Sequence, residues 1–362
     1  MNELTRQSVE LLRRMVRIPS PSFGEEPVRL EIEKSFKQWG LQYEVIGNNI
    51  VARCPWYDNS LPTLAMDAHI DTVPPAQSYT RDPYDPGEDP DIVWGLGSND
   101  DGGSVVAMIA AFRHFCELEK PLPINLVLTL SAEEERSGSG GAEQTYRQRA
   151  AFHTEGEYPR WTIIGEPTGM RAATSERGLL VLDGEAKGVS GHAARGEGVN
   201  ALYIALDDIQ TLRAHRFERI SPTMGEVRLS VTQINCGTAH NVIPDKCSFV
   251  VDVRPTEQYT PAELQKELQT LTKSVLTPRN LRNRSSATPS GSMLLAAAQN
   301  LGIETFSSPT TSDWLRVDGE AIKMGPGDSA RSHHADEFIK VSEIDEAVQK
   351  YEAFICQMVR IL

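Results

Sequence analysis

Residues 63–74 read TLAMDAHIDTVP: an apolar run, Thr63–Ala68, that delivers a histidine, His69, and two positions later an aspartate, Asp71. A short apolar run bounded by turn residues reads as a buried strand. Similar runs occur at Ile124–Leu130, Trp161–Ile164 and Glu320–Met324. Amphipathic helical stretches separate them, near residues 3–17, 25–38, 103–118, 291–300 and 342–359. Strands alternating with helices predict an α/β domain whose sheet is flanked by helices.

Each run ends at, or just before, a residue able to bind a metal. Ile124–Leu130 is followed by the triplet Glu133, Glu134 and Glu135, and Trp161–Ile164 by Gly165 and Glu166. Glu320–Met324 leads through Gly325, Pro326 and Gly327 to Asp328 and His333. A fifth element, WGLGSNDDGG at Trp94–Gly103, sets Asp100 and Asp101 immediately before a helix. Taken singly, each has a bland reading. A histidine after a strand is commonly a hydrogen-bonded structural residue, a glutamate triplet a solvated helix start, and Asp-Asp-Gly-Gly a turn. Their joint placement decides, because ligands of an open α/β sheet gather beyond the carboxyl ends of its strands.

The middle of the chain has a different rhythm. Strands are expected near 178–187, 227–234 and 247–254, with helices near 199–214 and 261–276. This β-α-β-β-α order predicts a small α+β domain, residues 172–278, inserted into a discontinuous domain of residues 1–171 and 279–362. The segment PRNLRNRSSATPSG at 278–291 has the composition of a hinge.

Bulk properties exclude several classes. A formal net charge of -14 argues against nucleic acid or an anionic membrane as partner. Cys54, Cys116, Cys236, Cys247 and Cys356 are scattered, as expected of free thiols in a reducing compartment. The opening residues form an amphipathic helix, neither a signal peptide nor a membrane span, so a soluble, cytoplasmic protein is expected. The chain holds no H-E-x-x-H, no Cys-rich zinc motif, no EF-hand loop and no G-x-S-x-G elbow.

His69-Ile70-Asp71-Thr72-Val73-Pro74 resembles the H-x-D-T-V-P signature of the zinc-dependent acetylornithine deacetylase, succinyl-diaminopimelate desuccinylase and aminoacylase family. The Gly95–Gly103 loop, the glutamate triplet, Gly165-Glu166-Pro167-Thr168 and Ser332-His333-His334-Ala335-Asp336-Glu337 follow in the family's order. So do Gly191-His192, Asn241-Val242-Ile243-Pro244 and Asp252-Val253-Arg254-Pro255-Thr256. The resemblance, closest to acetylornithine deacetylase, implies a mixed central sheet of the zinc-exopeptidase type with an inserted lid and dimerisation domain. It implies two Zn2+ per subunit, with Co2+ or Mn2+ as substitutes. Asp100 would bridge them, His69 and Glu166 would complete one, and Glu135 and His333 the other. Asp71 would orient His69, and Glu134 would be the general base. His192 would reach a partner's active site, while Arg254, Asn241 and, more weakly, Arg177 would grip substrate.

The chain departs from the family at Leu96, usually Arg, at Asp101-Gly102-Gly103, usually Met-Lys-Gly, and at Ser137, often Gly. The triplet leaves base and ligand ambiguous by one position, as His334 does for His333. The expected activity is removal of an acetyl or succinyl group from an ornithine or citrulline derivative in arginine biosynthesis, by a homodimer. Succinyl-diaminopimelate desuccinylase, a broader aminoacylase or dipeptidase, and an inactive binding relative are the alternatives.

Overall fold

The computed structural model describes residues 1–147 and 159–362. The chain forms two compact units: residues 1–174, 288–306 and 312–362, and residues 175–287 with 307–311.

In the larger unit the strand order is Tyr43–Ile46, Asn49–Arg53, Asn125–Ser131, Thr63–His69, Trp161–Ile164, Glu320–Lys323 and Ala172–Glu176. The four runs that begin the sequence argument are the parallel centre, and antiparallel strands close both sides, so the sheet is mixed. Every side chain of Thr63–His69 and of Asn125–Ser131 is buried, as strands covered on both faces require. Leu64, Met66 and Leu128 pack on one face with the helices Glu3–Val16, Glu26–Trp39, Gly102–Cys116 and Val341–Ile361. Ala65 and Val127 pack on the other with Tyr146, Trp314 and Ala321.

Helix Gly102–Cys116 is apolar nearly all round and lies inside the core. Its start needs glycine for space rather than for backbone freedom. A Cβ on Gly102 would lie 2.4 Å from the Gly97 carbonyl oxygen and 2.6 Å from Leu12, and one on Gly103 would lie 2.4 Å from Ile339. This close fit leaves no room for a side chain at Gly102, where the family usually has Lys.

In the smaller unit four antiparallel strands are ordered Arg228–Cys236, Lys246–Arg254, Leu180–Lys187 and Val275–Pro278. Leu180, Leu182 and Ala186 turn inward, alternating with less buried residues, onto the helices Ala201–Ala214 and Pro261–Leu271. The expected helix over 261–276 is too long. It stops at Leu271 because Thr272 turns extended and the Asp208 carboxylate takes the N–H groups of Lys273 and Ser274 at 3.0 and 2.7 Å. Val275–Pro278 is then the fourth strand. The division of the chain falls at residues 174/175 and 287/288 rather than at 171/172 and 278/279. The segment expected as a hinge carries that strand's end and Ser286–Ala287, which pairs with Ser175 and Glu176.

All five cysteines are free. Among the described residues no helix is long and apolar enough to cross a membrane.

Candidate metal centre

Strand register sets the centre. His69 lies beside Ser131, and Asp67 lies beside Ile164, so Glu166, two residues beyond Ile164, comes level with His69. Potential ligand atoms of His69, Asp100 and Glu135 all lie within 4.8 Å of one another, as do those of His69, Glu134 and Glu166. Asp100 turns one oxygen to each imidazole: Oδ1 is 3.3 Å from His69 Nε2 and Oδ2 is 3.7 Å from His333 Nε2. His333 Nε2 is also 3.0 Å from Glu135 Oε1.

The glutamate triplet meets the centre through a turn. Glu133 has a left-handed backbone, φ 59°, and a 3-10 turn follows over Glu134–Arg136. Glu133 accepts the Gly140 N–H at 2.8 Å, which engages its side chain with the following loop. Glu134 and Glu135 are the two members brought to the His69 cluster. Ser137 closes the turn at φ 48°, a left-handed backbone that explains the frequent glycine there in the family. His333, though exposed, is joined to the cluster through its Nε2 contacts with Glu135 and Asp100; among the described residues His334, also exposed, makes neither contact. Asp328 is not aimed at the centre, because its side chain accepts the Ala330 N–H at 2.9 Å and caps a short turn.

Asp71 ties two parts of the site together. His69 Nδ1 lies 3.0 Å from the Asp71 carbonyl oxygen and 3.4 Å from its Oδ1. The same carboxylate accepts the N–H groups of Glu134 and Glu135 at 3.0 and 3.1 Å and the Ser22 hydroxyl at 2.6 Å.

The electrostatics follow from burying many acids together. Burial opposes charge on His69, but Asp100, Asp71 and Glu134 outweigh it and hold its pKa well above the ordinary value. Burial, reinforced by neighbouring carboxylates, pushes Glu134 and Glu166 well above theirs. His333, hydrogen-bonded to Glu135, is raised to about 8. Burial raises Asp101 to about 8 and Asp313 to about 6. Such crowding of acids around two imidazoles is chemistry that divalent cations would relieve.

Four residues escaped the sequence argument. Glu337 accepts the N–H groups of Gly97, Asn99 and Asp100 at 3.0, 2.9 and 2.9 Å, fixing the loop that presents Asp100. Asp313 and Asp67 share the Ser131 hydroxyl, which lies 2.9 Å from each. Asn99 joins its loop to the 325–328 segment, donating to the Asp328 carbonyl and accepting its N–H. The Asp336-Glu337 pair could have signalled the first; nothing local marks the other three.

The remaining expected site residues lie in the smaller unit. His192 is exposed, and its Nδ1 accepts the Ala194 N–H at 3.2 Å. Val242, next to the exposed Asn241, pairs with His192 across a short two-stranded ladder. Arg254 forks onto Asp252 at 2.8 and 3.1 Å. Arg177 is a correction. It is buried and donates to the carbonyls of Glu226, Met224 and Arg254, so its contacts make it a main-chain staple rather than a substrate ligand.

The sequence profile described as peptidase family M20/M25/M40 matches residues 65–357. A succinyl-diaminopimelate desuccinylase of Xanthomonas campestris pv. campestris is 26% identical over 321 residues, covering 83% of this chain and 84% of that one. A protein of Pyrobaculum aerophilum named as a LysW-lysine/LysW-ornithine hydrolase is 28% identical over 352 residues, 94% of each chain. Among solved structures, an M20 family metallo-carboxypeptidase from Sulfolobus solfataricus superposes with a TM-score of 0.78 at 16% identity, covering 100% of both chains. A dinuclear metal-binding peptidase of the M20 family from Bacillus subtilis gives 0.72 at 16% identity, covering 99% of this chain and 98% of that one. The fold is that of these structures.

Proposed function

The chain belongs to peptidase family M20/M25/M40, and from that membership we propose that it is a two-metal amide hydrolase that removes an N-acyl group from a small amino acid. The observation that carries the reading is Asp100, set between His69 and His333 with one oxygen toward each. His69 and Glu166 would hold one ion, Glu135 and His333 the other, and Asp100 both. The mixed imidazole and carboxylate donors suit zinc, with cobalt or manganese as substitutes. When bound, the ions would polarise the scissile carbonyl and acidify the attacking water.

The protein's own part is proton handling and orientation. Glu134, half-buried beside His69 and Glu166, takes a proton from the attacking water and returns it to the leaving amine. Asp71 holds the backbone of Glu134 and the ring of His69 in one frame, so base and ligand keep their relative positions. Arg254, already oriented by Asp252, and Asn241 are the proposed grips on the substrate's carboxylate and carbonyl. His192 is proposed to serve the centre of a second copy, which makes a homodimer the working form.

The substrate proposed first is an N-acetyl or N-succinyl derivative of ornithine or citrulline, in arginine biosynthesis. Acetylornithine is not singled out by the relatives named above. Ornithine appears in the name of the Pyrobaculum aerophilum protein, and the Xanthomonas relatives favour succinyl-diaminopimelate as the second reading. The test is hydrolysis of a panel of N-acetyl and N-succinyl diamino acids by zinc-loaded protein. Glu134→Gln should keep its zinc and lose turnover by about 10^2–10^4-fold, the usual contribution of a positioned base. Mixing Glu134→Gln with His192→Ala should restore activity that neither has alone. An active Glu134→Gln protein would remove the base assignment, and no rescue on mixing would remove the cross-subunit role.

A further inference from the structure

Two of the free cysteines in the smaller unit oppose each other. The antiparallel ladder between Arg228–Cys236 and Lys246–Arg254 ends at the pair Cys236 and Cys247. Directly opposite residues share a face of the sheet, with Cα atoms about 4.5–5.5 Å apart. That lies inside the span of about 4.4–6.8 Å that a disulfide bridges. Cβ atoms in such pairs stand about 4.5–5.5 Å apart, slightly wider than the roughly 3.5–4.5 Å of a relaxed disulfide. Closure therefore draws the strands together and leaves a strained bond, the kind most readily reduced again.

The surroundings give the two thiols different parts. Cys247 is fully buried in the unit's core, and Cys236 packs on that core half-buried, its Sγ 3.4 Å from the Lys246 carbonyl oxygen. Cys54 and Cys116 have no comparable register, since one lies outside any strand and the other ends a helix.

The ladder opens into residues 237–245, and this segment is tied to the His192 strand. The Asn241 carbonyl accepts the Ala193 N–H at 3.0 Å, and Val242 and Ile243 pair with His192 and Gly191. Further along, the Pro244 and Asp245 carbonyls accept the N–H groups of Ala201 and Gly188 at 2.9 and 2.8 Å. A bond between Cys236 and Cys247 would close the base of this segment.

We propose that Cys236 and Cys247 are a thiol–disulfide site, oxidised reversibly by a low-molecular-weight disulfide, that clamps the segment bearing Asn241 and backing His192. Cys236, the accessible thiol, loses its proton to water and attacks one sulfur of RS–SR. The reagent's S–S bond breaks, RS– leaves and is protonated, and a mixed disulfide remains. Cys247 loses its proton in turn, attacks the Cys236 sulfur and expels the second RS–. Two protein thiols are oxidised and one RS–SR is reduced to two RSH. Burial, with Cys236 beside it, pushes the Cys247 thiol up to about 12. That suits it to the resolving step, where proximity offsets slow ionisation. Any effect on turnover rests on the substrate roles proposed above for Asn241 and His192; the bond itself does not.

The test incubates the full-length, zinc-loaded protein with oxidised glutathione, followed by thiol titration, intact mass and peptide mapping. Free thiols should fall from five to three per chain, with the mass lower by two hydrogens. A Cys236–Cys247 cross-linked peptide should appear, and hydrogen exchange across residues 237–245 should slow. Dithiothreitol should reverse all of these. Cys236→Ser, the half-buried position and so the safer variant to fold, should abolish the cross-link. Five free thiols after treatment, a glutathione adduct that never resolves, or a bond mapped to Cys54–Cys116 or between chains would each overturn the proposal. If the bond forms and turnover does not change, the substrate role of the segment fails and the thiol site stands.

Discussion

Asp71 shows how much one buried carboxylate can organise. It faces the His69 ring, caps the turn that carries Glu134 and Glu135, and receives the Ser22 hydroxyl. His69 holds the Asp71 carboxyl below its usual range, although burial pulls the other way. Asp71→Asn should therefore weaken zinc binding by about 10–100-fold, the usual cost of losing a ligand's supporting carboxylate. A competition titration against a chelator would measure it, and an unchanged affinity would dismiss the role. At this scale, legibility followed position. His69 and Glu166 could be read because one ends a strand and the other sits just past one, and Asp71 because it lies two residues from His69. Asp313 could not, since a carboxylate that shares a serine across the fold leaves no local spacing to detect. Arg177 misled for the opposite reason. An arginine near a motif looks like a substrate grip until its carbonyl partners are seen.

Among elements, the parallel strands and long helices were readable because burial on both faces, or on one stripe, imposes a period on the sequence. The strands Tyr43–Ile46 and Asn49–Arg53 were not anticipated. The helix expected over 261–276 merged two elements, since the signal that separates them is the distant Asp208 carboxylate. Adjacent glutamates on a strand point to opposite faces, so Glu134 and Glu135 reach one site only because the chain turns at Glu133–Ser137. The start of helix Gly102–Cys116 offers a direct test of element packing. Gly102→Ala should destabilise the fold by about 1–3 kcal/mol, as overpacking of a tight core does, because the added methyl meets the Gly97 carbonyl and Leu12. Denaturant unfolding would show it as a lower midpoint; an unaltered midpoint would mean the loop yields freely.

For the whole molecule, the buried charge of the centre makes stability depend on pH and on metal together. Without metal, His333 is raised to about 8, as are Asp101 and Glu337, and Asp313 to about 6. Each holds its proton more tightly folded than unfolded, so the folded chain carries the more protons in this window and stability falls with rising pH. The His333 contribution is fully present below its unfolded pKa and is lost as pH rises through about 8. The raised carboxyls add a growing penalty over the same rise. The melting temperature of chelated protein should therefore drop between about pH 6 and pH 8, and zinc should flatten the slope by supplying the missing positive charge. Parallel slopes with and without zinc would show that the acids are not gathered for a metal. The most direct measurement is anomalous diffraction at the zinc edge from crystals of the zinc-loaded protein. The account predicts two peaks joined by Asp100, one held by His69 and Glu166 and the other by Glu135 and His333. A single peak, or zinc bound away from Asp100, would contradict it.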